Sequence, residues 1–101
     1  MENKLLPVGS VVYLVEGQVP LVIVGLGQLA TLEEGDEPKF FDYGGVTYPE
    51  GLDEDGAYYF NQENISEVVF KGYESDQHDR YIKAVEEWKE NNPDVERGEV
   101  E

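Results

Sequence analysis

The chain has 101 residues, enough for one hydrophobic core but not for two. It carries 23 acidic residues against 7 basic ones, a net charge of −16, and so acidic a surface repels nucleic-acid phosphates and anionic lipid headgroups. The absence of cysteine excludes a disulfide framework and a thiolate metal site. No apolar run approaches the ~20 residues of a membrane span, and the N-terminus lacks the pattern of a signal peptide. We therefore expect a cytoplasmic protein without nucleic-acid or membrane partners.

The first predicted element is a β-hairpin. Residues 11–15 and 19–24 are two aliphatic, β-branched runs on either side of a short connection that contains Gly17. Pro20 cannot donate a hydrogen bond to a sheet, so it belongs at the start or the edge of its strand. Both runs are almost continuously hydrophobic, which predicts strands that are covered on both faces.

Residues 25–30 match the form G-x-G-x-x-A of a dinucleotide-binding loop. Such a loop must open a helix, but Gly35 and Pro38 break the segment that follows, and no apolar stripe runs through it. We favour a second strand that continues through a glycine bulge. An acidic loop at residues 33–38 then follows it.

The most aromatic stretch of the chain lies at residues 40–51, where two glycines and a proline interrupt the aromatic side chains. A strand is predicted at residues 39–43 and a short strand at residues 46–48. The glycines at 44–45 predict a turn or a bulge between them.

After a second acidic loop at residues 52–56, the pattern predicts three more short segments. Residues 57–60 form an aromatic strand, and residues 61–64 form one helical turn or a tight loop. The last strand is predicted at residues 67–73. Four residues in and before it can reach the core: Ile65, Val68, Phe70 and Tyr73.

The spacing of the apolar residues then becomes helical. Ser75 can cap a helix, and residues 91–93, Asn-Asn-Pro, can end it. Residues 93–101 are polar and acidic, so we expect a disordered tail there and a single domain at residues 1–92. Four residues on one face of the helix are predicted to contact the core: Tyr81, Ile82, Val85 and Trp88.

These elements predict an α+β fold, in which a bent antiparallel sheet of about five strands packs against one C-terminal helix. An SH3-like partial barrel is one form that such a sheet can take.

The sequence contains no convincing metal site. If Gly56 is placed at the central glycine of an EF-hand loop, Asp53 and Asp55 occupy two ligand positions. Gly51 and Gln62 then stand where the first ligand and the bidentate acid are needed, so we expect a solvated loop.

Catalytic residues are also not evident. His78 is the only histidine, and a structural role is predicted for it and for Ser10, Ser66 and Ser75, none of which lies in a glycine elbow. We predict no catalytic residue, no metal ligand and no cofactor.

The chain has more aromatic residues than one small core needs, so some of them should form an exposed protein-binding face. The candidates for this face are Phe41, Tyr43, Tyr48, Pro49, Glu50, Tyr58 and Trp88.

Several segments in order carry a family resemblance. They are Leu6-Pro7-Val8-Gly9-Ser10-Val11-Val12, Pro20-Leu21-Val22-Ile23-Val24-Gly25, Phe41-Asp42-Tyr43, Tyr48-Pro49-Glu50-Gly51, Tyr59-Phe60-Asn61 and Ile65-Ser66-Glu67-Val68-Val69-Phe70-Lys71-Gly72-Tyr73. Over residues 5–73 the chain resembles the domain-of-unknown-function 4176 family, small proteins of Firmicutes.

The resemblance implies a genomic context instead of an activity. Similar proteins are encoded in type VII secretion loci of Gram-positive bacteria, beside toxins with an LXG export domain. The resemblance implies a cytoplasmic accessory factor, a chaperone or a targeting adaptor, with no catalytic residues to carry over. The only residues that the resemblance singles out have a structural role in the turn, namely Gly44, Tyr48, Pro49, Glu50 and Gly51.

The favoured function is therefore non-enzymatic protein binding, with a toxin or a secretion component encoded nearby as the partner. An immunity protein that neutralises a toxin domain is the first alternative. A small ligand-binding or hydrolytic barrel that uses Asp42, Tyr43 and Glu50 is the second.

Overall fold

Five antiparallel strands and one C-terminal helix form the domain in a computed structural model, which describes residues 5–31, 37–52 and 56–98. This is the predicted α+β fold. The elements are β1 Val11–Leu14, β2 Leu21–Ala30, β3 Lys39–Thr47, β4 Tyr58–Phe60, β5 Ile65–Phe70 and α1 Asp76–Asn91, with a 3₁₀ turn at Gln62–Asn64 between β4 and β5.

The strands form one open sheet in the order β4-β3-β2-β1-β5. Five flat strands would hold β4 and β5 roughly 19 Å apart, yet only residues 61–64 connect these two edge strands. Because a 3₁₀ turn of three residues advances only about 6 Å, the sheet must curl until its two edges approach each other at this end. The sheet is thus strongly bent, as the sequence predicts.

The predicted hairpin of β1 and β2 is confirmed, since Val11 pairs with Val22 in antiparallel register. The prediction that both runs are covered on both faces is wrong at Val15, Val19 and Val24, whose side chains are 59%, 48% and 49% exposed.

The register of β2 against β3 shifts between Ile23 and Gly25. Val24 is the extra residue there, so β2 contains a bulge just before the glycine bulge predicted at residues 25–30, and the Val24 side chain turns outward.

The sequence predicts a turn or a bulge at Gly44 and Gly45; strand β3 runs through both glycines without a turn, and the bulge lies in the facing strand β2. Both glycines lie opposite the bulge of β2. Packing also favours glycine at position 45, because a Cβ there would lie 3.0 Å from the Phe60 ring.

The core lies on the concave side of the curled sheet. Tyr43 and Phe60 are fully buried at its centre, with ring centroids 5.4 Å apart. Helix α1 contributes Ile82, which is 9% exposed. The other members of this cluster are Val12, Leu21, Ile23 and Leu26.

Strand β5 differs from its prediction in position and in burial. It spans Ile65–Phe70, and only Ile65 of the four predicted core residues packs against the core. Val68, Phe70 and Tyr73 are 46%, 60% and 84% exposed. Strand β5 lies at the edge of the sheet beside β1, whereas α1 packs against β2 at Gly27 and leaves these side chains uncovered.

The side chains of the three serines and His78 form hydrogen bonds within the domain. Ser10 Oγ donates to Pro7 O at 2.8 Å and accepts from Gly72 N at 2.9 Å. The remaining contacts are Ser66 Oγ to Tyr13 O at 3.1 Å, Ser75 Oγ to His78 N at 3.3 Å, and His78 Nε2 to Leu5 O at 3.1 Å.

The structure differs from the predicted disorder at residues 95–98, which we call the C-terminal segment. It lies parallel to the start of β3, with Phe40 N donating to Glu96 O and Gly98 N donating to Phe40 O at 2.8 and 2.7 Å. A Cβ at Gly98 would lie 2.2 Å from the Phe41 ring, so only glycine allows this approach. Residues 99–101 lie outside the described part of the chain.

Within the described ranges, no helix is long and apolar enough to cross a membrane.

Candidate protein-binding surface

The structure separates the residues predicted to form a protein-binding face. Phe41 and Tyr43 are 1% and 0% exposed, so they offer no surface to a partner. Tyr48, Pro49 and Glu50 are exposed in the turn that ends β3.

The two remaining candidates lie in different places. Tyr58 is half-exposed in edge strand β4. Trp88 lies on α1 and stacks on Phe40, with ring centroids 6.0 Å apart. Phe40 and Tyr48 are eight residues apart along the extended β3, roughly 26 Å, so Trp88 does not share a surface with Tyr48.

Helix α1 begins where the sequence predicts, at the cap formed by Ser75. Its inner side carries a stripe at spacings of four and three residues, formed by His78, Ile82 and Val85, which are buried or half-buried. A second stripe lies beside it at the same kind of spacing and is largely exposed, and its residues are Gln77, Tyr81, Ala84 and Trp88. Apart from Lys89, whose Nζ lies 4.7 Å from the Phe40 ring centroid, the arc formed by the two stripes carries no Asp, Glu, Lys or Arg, and it is wider than packing on the sheet requires.

Two clefts lie along this second stripe and meet at Tyr81. The first has a volume of about 260 Å³, and its described lining residues are Gly27, Leu29, Phe40, Tyr81, Ala84, Val85 and Trp88. The second has a volume of about 550 Å³, and its described lining residues are Pro7, Val8, Val24, Gly25, Leu26, Gln28, Tyr73, Gln77, His78 and Tyr81. We call the two together the uncharged groove.

None of the described residues that line the uncharged groove is Asp, Glu, Lys or Arg, although these residues make up 30% of the chain. Several of its apolar side chains are about half-exposed or more, namely Val8, Val24, Leu29, Tyr73 and Tyr81. Depletion of charge and enrichment of tyrosine and tryptophan are typical of the centre of a protein–protein interface. The groove is therefore the best candidate for a binding surface.

Sequence reasoning found Trp88 but missed most of the groove. Tyr81 was expected in the core, yet it is 49% exposed, and its hydroxyl donates to Leu26 O at 3.1 Å. This bond holds the ring at the edge of β2. The signal available in the sequence was the uncharged stripe beside the buried one on α1.

The close approach of α1 to β2 depends on Gly27, which has a positive φ of 61°. A Cβ there would lie 3.0 Å from both γ-methyl groups of Val85. Glycine thus satisfies the backbone conformation and lets the helix lie near the strand. The second glycine of the G-x-G-x-x-A motif therefore serves helix packing.

A separate polar cluster lies beneath the C-terminal segment. The Asp42 carboxylate, which is nearly buried, accepts from Gln62 N at 2.9 Å and from the Arg97 guanidinium at 3.1 Å. Arg97 also pairs with Glu63 at 2.5 Å and lowers the pKa of that carboxyl. Asn61 completes the cluster, because its Oδ1 accepts from Asp42 N and its Nδ2 donates to Gly98 O.

The polar cluster borders a cleft of about 670 Å³. Tyr43 lies next to it, and its hydroxyl accepts from Leu6 N at 2.8 Å and donates to Gln62 Oε1. Burial raises the pKa of this hydroxyl to about 12. The hydrogen bond from Leu6 N lowers the pKa, and the nearby charge of Asp42 raises it by a smaller amount. Asp42 and Tyr43 thus bond to groups of the domain itself, while Glu50 lies in the exposed turn. A hydrolytic role for these three residues stays a prediction.

One group of potential metal ligands occurs among the described residues. Single ligand atoms of Glu74, His78 and Asp79 lie within 4.8 Å of one another. Glu74 also pairs with Lys71 at 3.3 Å, and His78 Nε2 lies against Leu5 O. Both carboxylates are on exposed residues, an arrangement that is common without an ion. The other candidate ligands, Asp53 and Asp55, lie outside the described residues.

Comparison with protein families gives one match, the domain of unknown function DUF4176, over residues 5–81. The chain belongs to this family. The matched range contains the whole sheet and the first part of α1, so most of the uncharged groove lies on the shared domain. No curated protein and no solved structure matches the chain significantly.

Proposed function

We propose that this DUF4176 protein is a cytoplasmic, non-enzymatic accessory factor that binds LXG toxins of type VII secretion systems as a chaperone or targeting adaptor. The proposal combines two arguments. The sequence resembles proteins encoded beside such toxins, and the uncharged groove has the composition of an interface centre.

The observation that carries the binding role is the exposure of large apolar side chains in the groove. Tyr73 is 84% exposed, and Val8, Val24 and Leu29 are 51%, 49% and 47% exposed. A chain with net charge −16 has ample polar residues to place there. Contiguous exposed apolar surface of this kind marks a site where another molecule binds.

Co-expression with the LXG toxin encoded next to this protein, followed by size exclusion, tests the proposal. We expect the two proteins to elute together at a volume smaller than that of either alone. Separate elution from the toxin and from the other products of the locus would contradict the accessory role.

Two halves of the toxin distinguish the proposed role from the first alternative, an immunity protein. An accessory factor should bind the half that contains the LXG export domain. An immunity protein should bind the half that contains the toxic domain, and its expression should protect cells against that half alone.

A further inference from the structure

The groove also constrains what kind of partner segment it can bind, an inference that rests on the proposed function. Exposed Tyr81 and Ala84 form the middle of its helical side, and Gln77 and Trp88 form its ends. At 1.5 Å per residue, this stripe is about 16 Å long. That length matches about three turns of a second helix laid beside α1.

The floor of the groove is the part of β2 that follows its pairing with β1. One edge of β2 pairs with β3 over its whole length, whereas its other edge pairs with β1 only at Leu21 and Val22. A carbonyl of β2 in this region, Leu26 O, already accepts from the Tyr81 hydroxyl and from Gln28 Nε2, both at 3.1 Å. An amphipathic helix satisfies its own backbone and is recognised through its side chains, so it needs no free hydrogen-bonding group of β2.

The net charge of the protein determines which sign of charge is favoured on the polar face of that helix. The rim of the groove on α1 carries Glu87 and Arg80, each one helical turn from Ala84, while the whole chain has a net charge of −16. Such a field attracts a cationic segment, speeds its association, and repels a second copy of this chain and an anionic membrane.

We propose that the uncharged groove binds a basic amphipathic helix of the partner protein, with the apolar face of that helix against Tyr81, Ala84 and Trp88. The apolar contact supplies the affinity at the centre of the interface. The positive charges of the helix remain at the rim, where they add attraction over distance.

Trp88 reports directly on this binding because it is the only tryptophan of the chain and lies in the groove. Three synthetic peptides of about 18 residues without Trp or Tyr serve as probes: a Lys/Leu amphipathic helix, its Glu/Leu counterpart, and a scrambled Lys/Leu peptide of the same composition. We expect the amphipathic Lys/Leu peptide to shift the Trp88 emission to shorter wavelength and to bind at least about tenfold more tightly than the other two.

Two variants separate apolar contact from general charge attraction. Ala84→Glu places a carboxylate in the middle of the groove and should weaken binding of the amphipathic Lys/Leu peptide at least about tenfold. Lys83→Glu changes the net charge by twice as much as Ala84→Glu, but Lys83 lies on the opposite side of α1. Binding of the amphipathic Lys/Leu peptide should therefore be unchanged or slightly tighter. Both positions are exposed, and equal thermal melts by circular dichroism would show that both variants fold.

Equal binding of the scrambled peptide, or equal binding by Ala84→Glu, would overturn the proposal. A Trp88 emission shift that depends on protein concentration, and that the amphipathic Lys/Leu peptide does not reverse, would also overturn the proposal. In that case a second copy of the protein would occupy the groove. These results are independent of the toxin experiment. A toxin complex that Ala84→Glu leaves intact would refute only the groove, and peptide binding without a toxin complex would refute only the accessory role.

Discussion

Replacing Tyr43 with alanine should destabilise the protein by about 3–5 kcal/mol, the usual cost of truncating a buried aromatic residue. The ring is fully buried and packs on Phe60 with 5.4 Å between centroids. Its hydroxyl also accepts a hydrogen bond from Leu6 N at 2.8 Å, which holds Leu6 against the core. Since small domains are stable by only about 5–15 kcal/mol, urea unfolding followed by circular dichroism should show a large loss of stability.

Tyr43→Phe is the matched control, because it keeps the ring and removes only the hydroxyl. It leaves Leu6 N without its partner, so the free energy of unfolding should fall by about 1–2 kcal/mol at pH 8. A result for Tyr43→Ala no larger than that for Tyr43→Phe would contradict a central place for the ring in the core.

The difference between wild type and Tyr43→Phe should depend on pH. An unfolded tyrosine titrates near pH 10, whereas the pKa of Tyr43 in the folded protein is about 12. Between these values the unfolded chain releases the proton and the folded one keeps it, so the contribution is complete below pH 10 and is lost as the pH rises towards 12. The advantage of wild type should shrink there by up to about 1.4 kcal/mol per pH unit, and a constant advantage from pH 8 to pH 12 would contradict the raised pKa.

Replacing Asn61 with alanine should cost about 2–4 kcal/mol and release the C-terminal segment. Asn61 is 1% exposed, and its side chain joins Asp42 N and Gly98 O at 3.0 and 2.8 Å. Each buried group left without a partner costs about 1–3 kcal/mol. Chemical denaturation measures the loss of stability, and hydrogen exchange at the amides of Phe40 and Gly98 should become faster.

Asn91→Ala is the control for that variant, because Asn91 is exposed on the last turn of α1. Its effect should stay within about 0.5 kcal/mol. If Asn61→Ala were equally mild, or if it left exchange at Gly98 unchanged, the C-terminal segment would not depend on the bonds of Asn61.

Local sequence patterns were sufficient to predict the elements whose signals are local. The cap at Ser75, the helical spacing after it and the hairpin of β1 and β2 all follow from nearby residues, and the structure confirms them. Strand β5 shows the limit. Its apolar residues predict a strand, but whether a face is covered depends on where α1 packs, which no local pattern encodes.

The candidate surface was predictable only in kind. Counting aromatic residues correctly predicts that some are exposed, but it does not distinguish Tyr43, which is fully buried, from Tyr81, which is 49% exposed. The C-terminal segment shows the same limit, because Arg97 pairs with Asp42 across 55 positions of the chain. Such long-range pairs depend on the fold and are not visible as a motif.

Hydrogen exchange on the complex with the LXG toxin tests most directly the claim that this protein binds its partner through the uncharged groove. We expect toxin binding to slow exchange along α1 around Tyr81 and in β2 from Val24 to Leu29. Exchange in the turn at Tyr48, Pro49 and Glu50 should stay unchanged. Protection confined to that turn and to Tyr58, with none on α1, would contradict binding through the groove.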